Sequence, residues 1–327
     1  MADYININGN NIPIRASDPS NPIQGEVWYN TTTNALKGQG FATASVASSG
    51  NVNTARTQLG GVGTLTAGVI YGGEDPALTG ATENFDGTTW TNSGTAPATK
   101  SDMHSSGTQT AALWGGGSPS SSGSYEYDGS TWTAGGNMTF AGRDFTGGSA
   151  GILTAALQIG GFINPGNYSS TMQEYDGTSW ANIPQTFPTA PNTGGFASCG
   201  TQTAALSSGG PGGATDNLSW DGSTWTTENN LSIGSSAAVQ LGTTNDAIHM
   251  TGHPASPPTY GVEIQIWDGT CWSQSPASFS TGRAQSSGGG STTSAYVATG
   301  ADGTPNYTNT TEIFTNAGPA IVTFSSS

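Results

Sequence analysis

Few side chains in this sequence could carry out acid–base or metal chemistry. Its 327 residues include three histidines, His104, His249 and His253, and two cysteines, Cys199 and Cys271. A structural zinc site needs four ligands, so the histidines could build one only with the help of carboxylates. His249 and His253 are four residues apart, which suits a helix, but the sequence around them predicts a strand and a loop. We therefore predict no catalytic residue, no metal site and no cofactor.

Basic residues form a second group of interest, because they are scarce and unevenly placed. Lys and Arg number six against 21 Asp and Glu, which gives a formal net charge of −15. Four of the six occupy similar positions in a repeat described below: Arg56, Lys100, Arg143 and Arg283. Around a shared opening they would attract an anion, such as the carboxylate or sulfate of a sugar. In the alternative interpretation, each binds loop carbonyls and fixes the spacing of neighbouring repeat units.

Five aspartates form a third group, each at the start of the same short phrase. The phrase is Asp-Gly, then two small residues and a tryptophan. It begins at Asp86, Asp128, Asp176, Asp221 and Asp268, and it ends at Trp90, Trp132, Trp180, Trp225 and Trp272. An aspartate in such a turn caps its own hairpin by hydrogen bonds from its side chain to nearby backbone groups. Calcium binding would need several oxygens per ion, so capping is the preferred interpretation.

The spacing of these phrases indicates the architecture. Successive aspartates, at positions 86, 128, 176, 221 and 268, are 42, 48, 45 and 47 residues apart. A regular period in this range is typical of a ring or solenoid of repeated units. Each Asp-Gly follows an aromatic residue, and an Asp-Gly step between strand-forming residues predicts a hairpin. We expect the five tryptophans to lie between repeat units as structural residues and not as platforms for sugars.

A second phrase, Thr-Ala-Ala-Leu, precedes the hairpins at Thr110, Thr154 and Thr203, with looser copies in the other units. Each copy ends at or near Gly-Gly, which marks a tight exit from a strand. Each unit is therefore predicted to contain four strands, and six units begin near residues 56, 100, 143, 192, 235 and 283. The sixth unit lacks the Asp-Gly and the Trp. Its last strand is assigned to residues 320 to 324, and the sequence leaves open whether this strand or the N-terminal hairpin closes the ring. The predicted fold is all-β, a six-bladed β-propeller over residues 41–327 with an N-terminal hairpin segment over residues 1–40.

The order of Gly-Gly, aromatic-Asp and Trp resembles the kelch β-propeller over roughly residues 50 to 327. The resemblance implies a fold and not an activity, because propellers carry many functions. It also places the four basic residues on the face where kelch propellers usually bind ligands. A copper oxidase of that family uses histidines, tyrosines and a Cys–Tyr link, and no position-matched set occurs here. The turn phrase is similar to the Asp boxes of sialidases but lacks their residue between Asp and Gly, and no pattern supports the sialidase arginine triad.

Residues 1 to 40 carry no copy of the repeat. The segment from Gly25 to Lys37 predicts an independent hairpin with aromatic residues before a Thr/Asn turn. Its Trp-Tyr-Asn and Thr-Asn-x-Leu-Lys pattern resembles a segment near the start of many bacteriophage virion proteins, especially tail and fibre components. Phrases in the propeller are similar to kelch-like repeats of marine phage proteins. Upstream, four isoleucines alternate with polar residues, as in a strand that offers one face to a partner: Ile5, Ile7, Ile12 and Ile14.

Composition argues against several classes of protein. The acidic balance disfavours nucleic acid binding, and no apolar run approaches the length needed to span a bilayer. The N-terminus has neither a basic region nor an apolar run, so no signal peptide is predicted. Leu, Ile, Val and Phe are as scarce as in disordered chains, but the regular pattern of Trp and Gly-Gly excludes disorder. The two cysteines fall in different parts of different units, so no disulfide is expected.

The leading prediction is a non-enzymatic structural protein of a bacteriophage virion, synthesised in the host cytoplasm. Residues 1–40 would bind other virion proteins, and the propeller, part of a tail fibre or other appendage, would bind a host-surface glycan or protein. This prediction allows a homo-oligomer. One alternative is a capsid or tail decoration protein without receptor binding. The others are a carbohydrate-active or oxidative enzyme built on the propeller and an intracellular protein-interaction module.

Overall fold

The computed structural model shows a chain that folds into two compact units. The residues it describes are 12–23, 25–41, 43–141, 149–163, 167–188, 195–255, 260–303, 306–316 and 319–324. The small unit combines Met1–Ser45 with Asn316–Ser327, and the large unit spans Val46–Thr315. Throughout the described ranges the regular elements are strands, so the predicted all-β class is confirmed. This part of the chain accordingly contains no helix that could cross a membrane.

The large unit contains six four-stranded sheets within its described residues, numbered 1 to 6 along the chain. Strands in sheets 1 to 5 lie in chain order, from an inner first strand to an outer fourth strand, and pair antiparallel. The strands are Gly60–Thr64, Ala67–Tyr71, Thr82–Phe85 and Trp90–Asn92 in sheet 1; His104–Thr108, Ala111–Gly115, Ser124–Tyr127 and Trp132–Ala134 in sheet 2; Ser149–Ile152, Ala155–Ile163, Asn167–Tyr175 and Trp180–Thr186 in sheet 3; Phe196–Thr201, Ala204–Gly209, Asn217–Trp220 and Trp225–Thr227 in sheet 4; Val239–Gly242, Ala247–Met250, Ile264–Trp267 and Trp272–Gln274 in sheet 5; and Ser287–Gly290, Ser294–Ala298, Thr311–Thr315 and Ser45–Ser48 in sheet 6. Two short ribbons pair Ser235–Ser236 with His253–Pro254 and Ala301–Gly303 with Asn306–Tyr307.

The repeated hairpins form where Asp-Gly follows an aromatic residue, as predicted. In sheet 1, Phe85 pairs with Trp90 across the turn, and their ring centroids lie 4.7 Å apart. Gly87 in this turn has a φ of 101°, which a residue with a side chain rarely adopts. The same aromatic pair recurs in sheets 2 to 5, with centroids 4.9 to 5.5 Å apart. These pairs hold the two outer strands of each sheet together.

Glycine and serine are frequent in the first strands, and at several positions the neighbouring inner strands lie too close for a larger side chain. A methyl group built on Gly60 would lie 2.5 Å from Ser105 Oγ in sheet 2, and one on Gly61 would lie 1.9 Å from Ser287 Oγ in sheet 6. Contacts link the inner strands of consecutive sheets from 1 to 6, and the inner strand of sheet 6 also contacts that of sheet 1. Larger side chains at these positions would force the sheets apart.

The tryptophans that follow the turns pack between sheets. Three are buried and two are partly buried: Trp90, Trp180 and Trp272, and then Trp132 and Trp225. Trp90 Nε1 donates to Thr311 Oγ1 in sheet 6 at 2.9 Å. One unit further on, Trp132 Nε1 donates to Thr82 Oγ1 in sheet 1 at 2.9 Å. The indoles thus contribute to the contact between neighbouring sheets, and their burial leaves little ring surface for a sugar.

The outer strand of sheet 6 is neither of the two candidates that the sequence offers. Residues 320 to 324 and the N-terminal hairpin were the candidates, but the position belongs to Ser45–Ser48, which precedes the first repeat unit. Beyond this strand, Ser49 N donates to Thr311 O and Val52 N to Asn309 O, both at 2.8 Å. The physical reason lies in the sequence, because the sixth unit lacks the Asp-Gly that favours a tight hairpin turn after the third strand of the other units. The small unit therefore includes the C-terminal strand, unlike the predicted division at residue 40.

The small unit is one sheet in which Ile14–Arg15, Val27–Asn30, Ala35–Phe41 and Pro319–Phe324 lie side by side in that order. The predicted hairpin joins the second and third of these strands, with Asn34 in the left-handed region at φ 51°. Trp28 is fully buried, and its Nε1 donates to Asp18 Oδ1 at 3.0 Å. Lys37 Nζ donates to the other carboxylate oxygen of Asp18 at 2.7 Å. Hydrogen bonds from Lys37, Asn30 and Trp28 lower the pKa of Asp18 to about 2.

Candidate functional site

Arg56 and Arg283, two of the four basic residues predicted to bind a ligand, are fully buried in ion pairs. Arg56 Nη1 lies 2.8 Å from Glu83 Oε1, and Arg283 Nη2 lies 2.5 Å from Glu312 Oε2. Arg283 Nη1 also donates to the backbone oxygen of Thr310 at 2.9 Å. Both arginines precede an inner strand, and both glutamates take the second position of a third strand. The two ion pairs are therefore repeats of one another.

The same two glutamates also accept hydrogen bonds from the loop that precedes each inner strand. Glu83 Oε2 accepts the backbone N–H of Asn53 at 2.8 Å, and Glu312 Oε1 accepts that of Ser280 at 2.9 Å. A glutamine does the same in sheets 3 and 5, where Gln173 accepts from Thr139 and Gln265 from Ser232 and Ile233. Sequence reasoning missed these residues. The signal that could have identified the two glutamates is Thr-Glu-x-Phe, which occurs in sheets 1 and 6.

Burial prevents Arg56 and Arg283 from serving as surface ligands for an anion. Desolvation lowers the pKa of both guanidinium groups, and the neighbouring carboxylates oppose that change. Each positive charge is already balanced inside the protein by its own glutamate. The predicted role as anion ligands therefore does not fit these two residues, and the alternative of fixing neighbouring connections does. Lys100 is partly exposed and donates from Nζ to the backbone oxygen of Pro119 at 2.7 Å, while Arg143 lies outside the described residues.

The backbone beside the inner strands forms a chain of hydrogen bonds from sheet to sheet. Two residues after Arg56, Lys100 and Arg283, the residues Gln58, Asp102 and Gln285 adopt left-handed φ values of 52° to 55°. Asp102 N donates to Gln58 O at 2.9 Å, and Gln58 N donates to Gln285 O at 3.0 Å. The series continues from Gln285 N to Ala237 O and from Ala237 N to Gly195 O. These bonds connect sheets 2, 1, 6, 5 and 4 where their inner strands begin.

A cavity of about 250 Å³ lies among the inner strands of all six sheets. Glycine, alanine and serine dominate its described lining, with glutamines at Gln58, Gln240 and Gln285. Among these lining residues there is no lysine or arginine, and Asp102 is the one carboxylate. The described lining therefore consists mainly of small residues, and Arg56, Lys100 and Arg283 are not part of it.

A buried Ser–His–Gln cluster, with the His and Gln in sheet 5 and the Ser in the adjoining ribbon, has the order of contacts found in a nucleophile, a base and an orienting residue. Ser235 Oγ lies 2.5 Å from His249 Nε2, and His249 Nδ1 lies 2.9 Å from Gln240 Oε1. Gln240 Nε2 donates to Leu206 O at 3.0 Å, which fixes the amide orientation. His249 therefore carries its proton on Nδ1, donates it to Gln240 and accepts from Ser235.

This cluster lacks two properties that a catalytic site needs. All three side chains are buried, and the adjacent cavity of about 10 Å³ holds no more than a water molecule. Burial also lowers the pKa of His249 to about 3, which makes it a weak base near neutral pH. The other buried nucleophile nearby, Cys199, has its pKa raised to about 12 by burial. The cluster is therefore structural, and it fills the interior of sheet 5 with satisfied polar groups.

Acidification should destabilise the protein through His249. Its folded pKa of about 3 lies below the ordinary value of 6.5, so the unfolded chain binds the proton more tightly. The stabilising effect is complete above about pH 6.5 and is lost as the pH falls towards 3. Between pH 7.5 and pH 5 we expect a loss of about 2 kcal/mol from this residue. Urea unfolding of the wild type and of His249→Gln at both pH values measures it.

The matched control for this pH dependence is His253→Gln, because His253 is only partly buried and burial lowers its pKa as well. His249→Gln should flatten the stability change between pH 7.5 and pH 5, and His253→Gln should alter it less. An unchanged pH dependence in His249→Gln would contradict a neutral, buried His249.

The turn aspartates cap their own hairpins, as predicted. Asp86 Oδ1 accepts the backbone N–H groups of Thr88 and Thr89, each at 2.8 Å, and Oδ2 accepts Thr89 Oγ1 at 2.8 Å. The same two backbone bonds occur at the four other turns. These bonds lower the pKa of all five carboxyl groups. In the described residues, no three His, Cys, Asp or Glu side chains gather where they could hold a metal ion.

Exposed apolar side chains are concentrated on the small unit. Among the described residues, five large apolar side chains are exposed: Ile14, Ile23, Ile321 and Phe324 in the small unit and Ile152 in the large unit. Ile14, Tyr29, Leu36 and Phe324 lie opposite one another in the strand register. Residues paired in this way share one face of a sheet, and these four are called the apolar row below. Of the alternating isoleucines, Ile5 and Ile7 lie outside the described residues.

Comparison with known proteins assigns the chain to no family. It matches no protein-family model and none of the curated protein sequences.

Proposed function

We propose that the large unit is a closed six-bladed β-propeller, with each four-stranded sheet as one blade. The hydrogen bond from Gln58 N to Gln285 O, which joins sheets 1 and 6, supports closure. The bond from Trp90 Nε1 to Thr311 Oγ1 supports it at the outer strands. Ser45–Ser48 would complete the sixth blade from the N-terminal side, so that both ends of the ring share one sheet. A closed ring leaves only short, protected strand edges.

We propose further that the chain is a non-enzymatic structural protein of a bacteriophage virion. The small unit attaches the chain to a neighbouring virion protein, and the propeller is displayed to bind a host surface. The observation that carries this proposal is the concentration of exposed apolar side chains on the small unit. Apolar surface of this kind marks protein contact sites. The resemblance of the hairpin, here Val27–Asn30 and Ala35–Phe41, to phage virion segments gives the class of partner.

The contacts inside the propeller favour binding over catalysis. His249, Ser235 and Arg283 have side chains that could take part in catalysis. All three are buried, and their polar atoms have hydrogen-bond partners. Arg56 and Arg283 are used inside the blades, so the proposal no longer includes an anionic sugar held by a basic ring. Host recognition is assigned to the exposed loops of the propeller, whose rigid blades can position them.

The experiment compares phage particles that carry the wild-type chain with particles that carry Ile14→Lys/Phe324→Lys. A charge at each end of the apolar row should abolish incorporation, as measured by mass spectrometry of purified particles, while circular dichroism shows a folded chain. Ile152→Lys, an exposed isoleucine of the large unit, is the matched control and should be incorporated normally. Normal incorporation of the double variant, or absence of the wild-type chain from particles, would refute the proposal.

A binding assay separates display for host attachment from simple decoration. The purified chain should bind host cells and compete with phage adsorption. Particles that lack the chain but adsorb normally would instead indicate a capsid or tail decoration protein.

A further inference from the structure

Among the described strands of the small sheet, the C-terminal strand Pro319–Phe324 lies at one edge. On one side it pairs with Ala35–Phe41 from Leu36 to Phe41, and within the described part of the chain no strand pairs with its other side. The strand contains no charged residue, and Ile321 and Phe324 are 41% and 49% exposed. Native proteins usually protect an open edge with charges, bulges or a covering segment. An uncharged, apolar edge of this length is suited to pairing with a strand from another chain.

The small unit is nearly neutral, whereas the rest of the chain is strongly acidic. Its sequence contains Asp3, Asp18 and Glu26 against Arg15 and Lys37, a net charge of −1. The remaining −15 − (−1) = −14 belongs to the large unit. Four of the five charged residues of the small unit lie in the described part of the chain. They form two ion pairs within that unit, Arg15 with Glu26 at 2.9 Å and Lys37 with Asp18 at 2.7 Å. The described charges of the small unit therefore balance one another, and none of them would repel a partner at the open edge.

We propose that this edge pairs with the same edge of a second copy of the chain, antiparallel and related by a twofold axis. Such an interface is self-complementary, because each strand supplies the other with the same donors and acceptors. Two copies repel through their acidic large units, but the nearly neutral small units that carry the edges add little to that repulsion. A strongly basic partner would instead be attracted to the large unit, which carries almost all of the net charge.

Edge pairing of this kind also enlarges the apolar row. A twofold axis perpendicular to the sheet keeps equivalent faces on the same side, so the two four-stranded sheets become one of eight strands. Ile14, Tyr29, Leu36 and Phe324 of both copies then lie on a single face. This inference rests on the proposed function for the use of that face, since a doubled row is a larger site for virion attachment. The pairing itself needs no virion and is tested with the purified chain.

Light scattering after size-exclusion chromatography of the full chain tests the pairing. The wild type should elute with twice the chain mass of 32.9 kDa. Ile321→Lys places a charge at the open edge in each copy and should weaken the dimer at least tenfold, which yields the mass of one chain at micromolar concentration. Ile152→Lys carries the same substitution on the large unit and should remain dimeric. A wild type of single-chain mass up to high concentration, or a dimer that Ile321→Lys leaves intact, would overturn the inference.

Cross-linking locates the contact and does not depend on the folding of Ile321→Lys. In a Cys271→Ser background, which removes the exposed native thiol and keeps the buried Cys199, Thr323→Cys should give a covalent dimer with a short bismaleimide. Ile152→Cys in the same background should not. Failure of Thr323→Cys to cross-link would exclude edge pairing. A monomeric chain that still enters particles would leave the attachment proposal intact, and a dimer that never enters particles would leave the pairing intact, so the two failures are distinguishable.

Discussion

Glu83→Gln should lower the free energy of unfolding by roughly 3–5 kcal/mol, the usual cost of removing one partner of a buried ion pair. The substitution keeps the shape of the side chain and its ability to accept from Asn53, so it changes little besides the charge. Arg56 has no exposed surface, and its Nε and Nη2 find no hydrogen-bond partner among the described residues. Without Glu83, the positive charge would be buried and uncompensated. Urea unfolding at pH 7.5 measures the loss.

Glu26→Gln is the matched control, because it breaks the Arg15–Glu26 pair of similar length on a partly exposed surface. Exposed pairs contribute about 0–1 kcal/mol, so this variant should unfold almost as the wild type does. Arg56→Met combined with Glu83→Gln removes both charges and should recover much of the loss, because a buried pair replaced by neutral groups is often nearly neutral in stability. Equal costs for Glu83→Gln and Glu26→Gln would contradict a buried pair.

The buried ion pairs of Arg56 and Arg283 show how far the sequence could predict the role of the basic residues. The recurrence of Arg56 and Arg283 before an inner strand was visible in the sequence, and so was their shared position in the repeat. Whether they point to solvent or into a sheet depends on a carboxylate in another part of the same unit. Glu83 lies 27 residues after Arg56, and Glu312 lies 29 residues after Arg283. The shared Thr-Glu-x-Phe phrase marks the two glutamates as repeats of one another, but nothing in the local sequence shows that they contact the arginines.

The hairpins could be predicted because all their determinants are local. Asp86, Gly87 and Trp90 lie within five residues, and the turn bonds, the left-handed φ and the aromatic pair all form inside that window. The same reasoning fails at the ends of the chain. Ser45–Ser48 and Pro319–Phe324 are both plausible strands by composition, and their partners are chosen by tertiary contacts. The sequence therefore predicts the number of strands better than it predicts which terminal strand pairs with which sheet.

The chain can fold despite its acidic net charge and its many small residues, because each kind of residue has a regular place in the sheets. Glycine and serine at Gly60, Gly61 and Ser287 let inner strands approach closely, and aromatic residues supply the buried surface at the outer strands. Buried polar groups such as Glu312 and Gln265 are satisfied by backbone N–H groups of the connecting loops. A scaffold with its polar and charged residues used in this way can vary its exposed loops without losing the fold.

Trp90→Ala should destabilise the large unit by roughly 3–5 kcal/mol, the range for removing a large buried aromatic side chain. The indole packs on Phe85 at 4.7 Å within its own sheet and on Tyr296 of sheet 6 at 5.6 Å, measured between ring centroids. Its Nε1 donates to Thr311 Oγ1, so the substitution also leaves a buried hydroxyl without this donor. Trp132→Ala removes the equivalent, partly exposed indole of sheet 2 and should cost less.

The comparison of these two variants tests both the burial of the tryptophans and the closure of the ring. Trp90 contacts sheet 6 through Thr311 and Tyr296, so it lies where a closed ring would join its first and last sheets. If the ring is closed, loss of this contact should lower the midpoint of a single cooperative transition, because every blade depends on its neighbours. If the ring is open there, Trp90→Ala should instead unfold sheet 1 separately, as an early phase in thermal unfolding followed by circular dichroism. An unchanged melting temperature would mean that the indole is exposed, and the tryptophans would then have to be reconsidered as sugar-binding platforms.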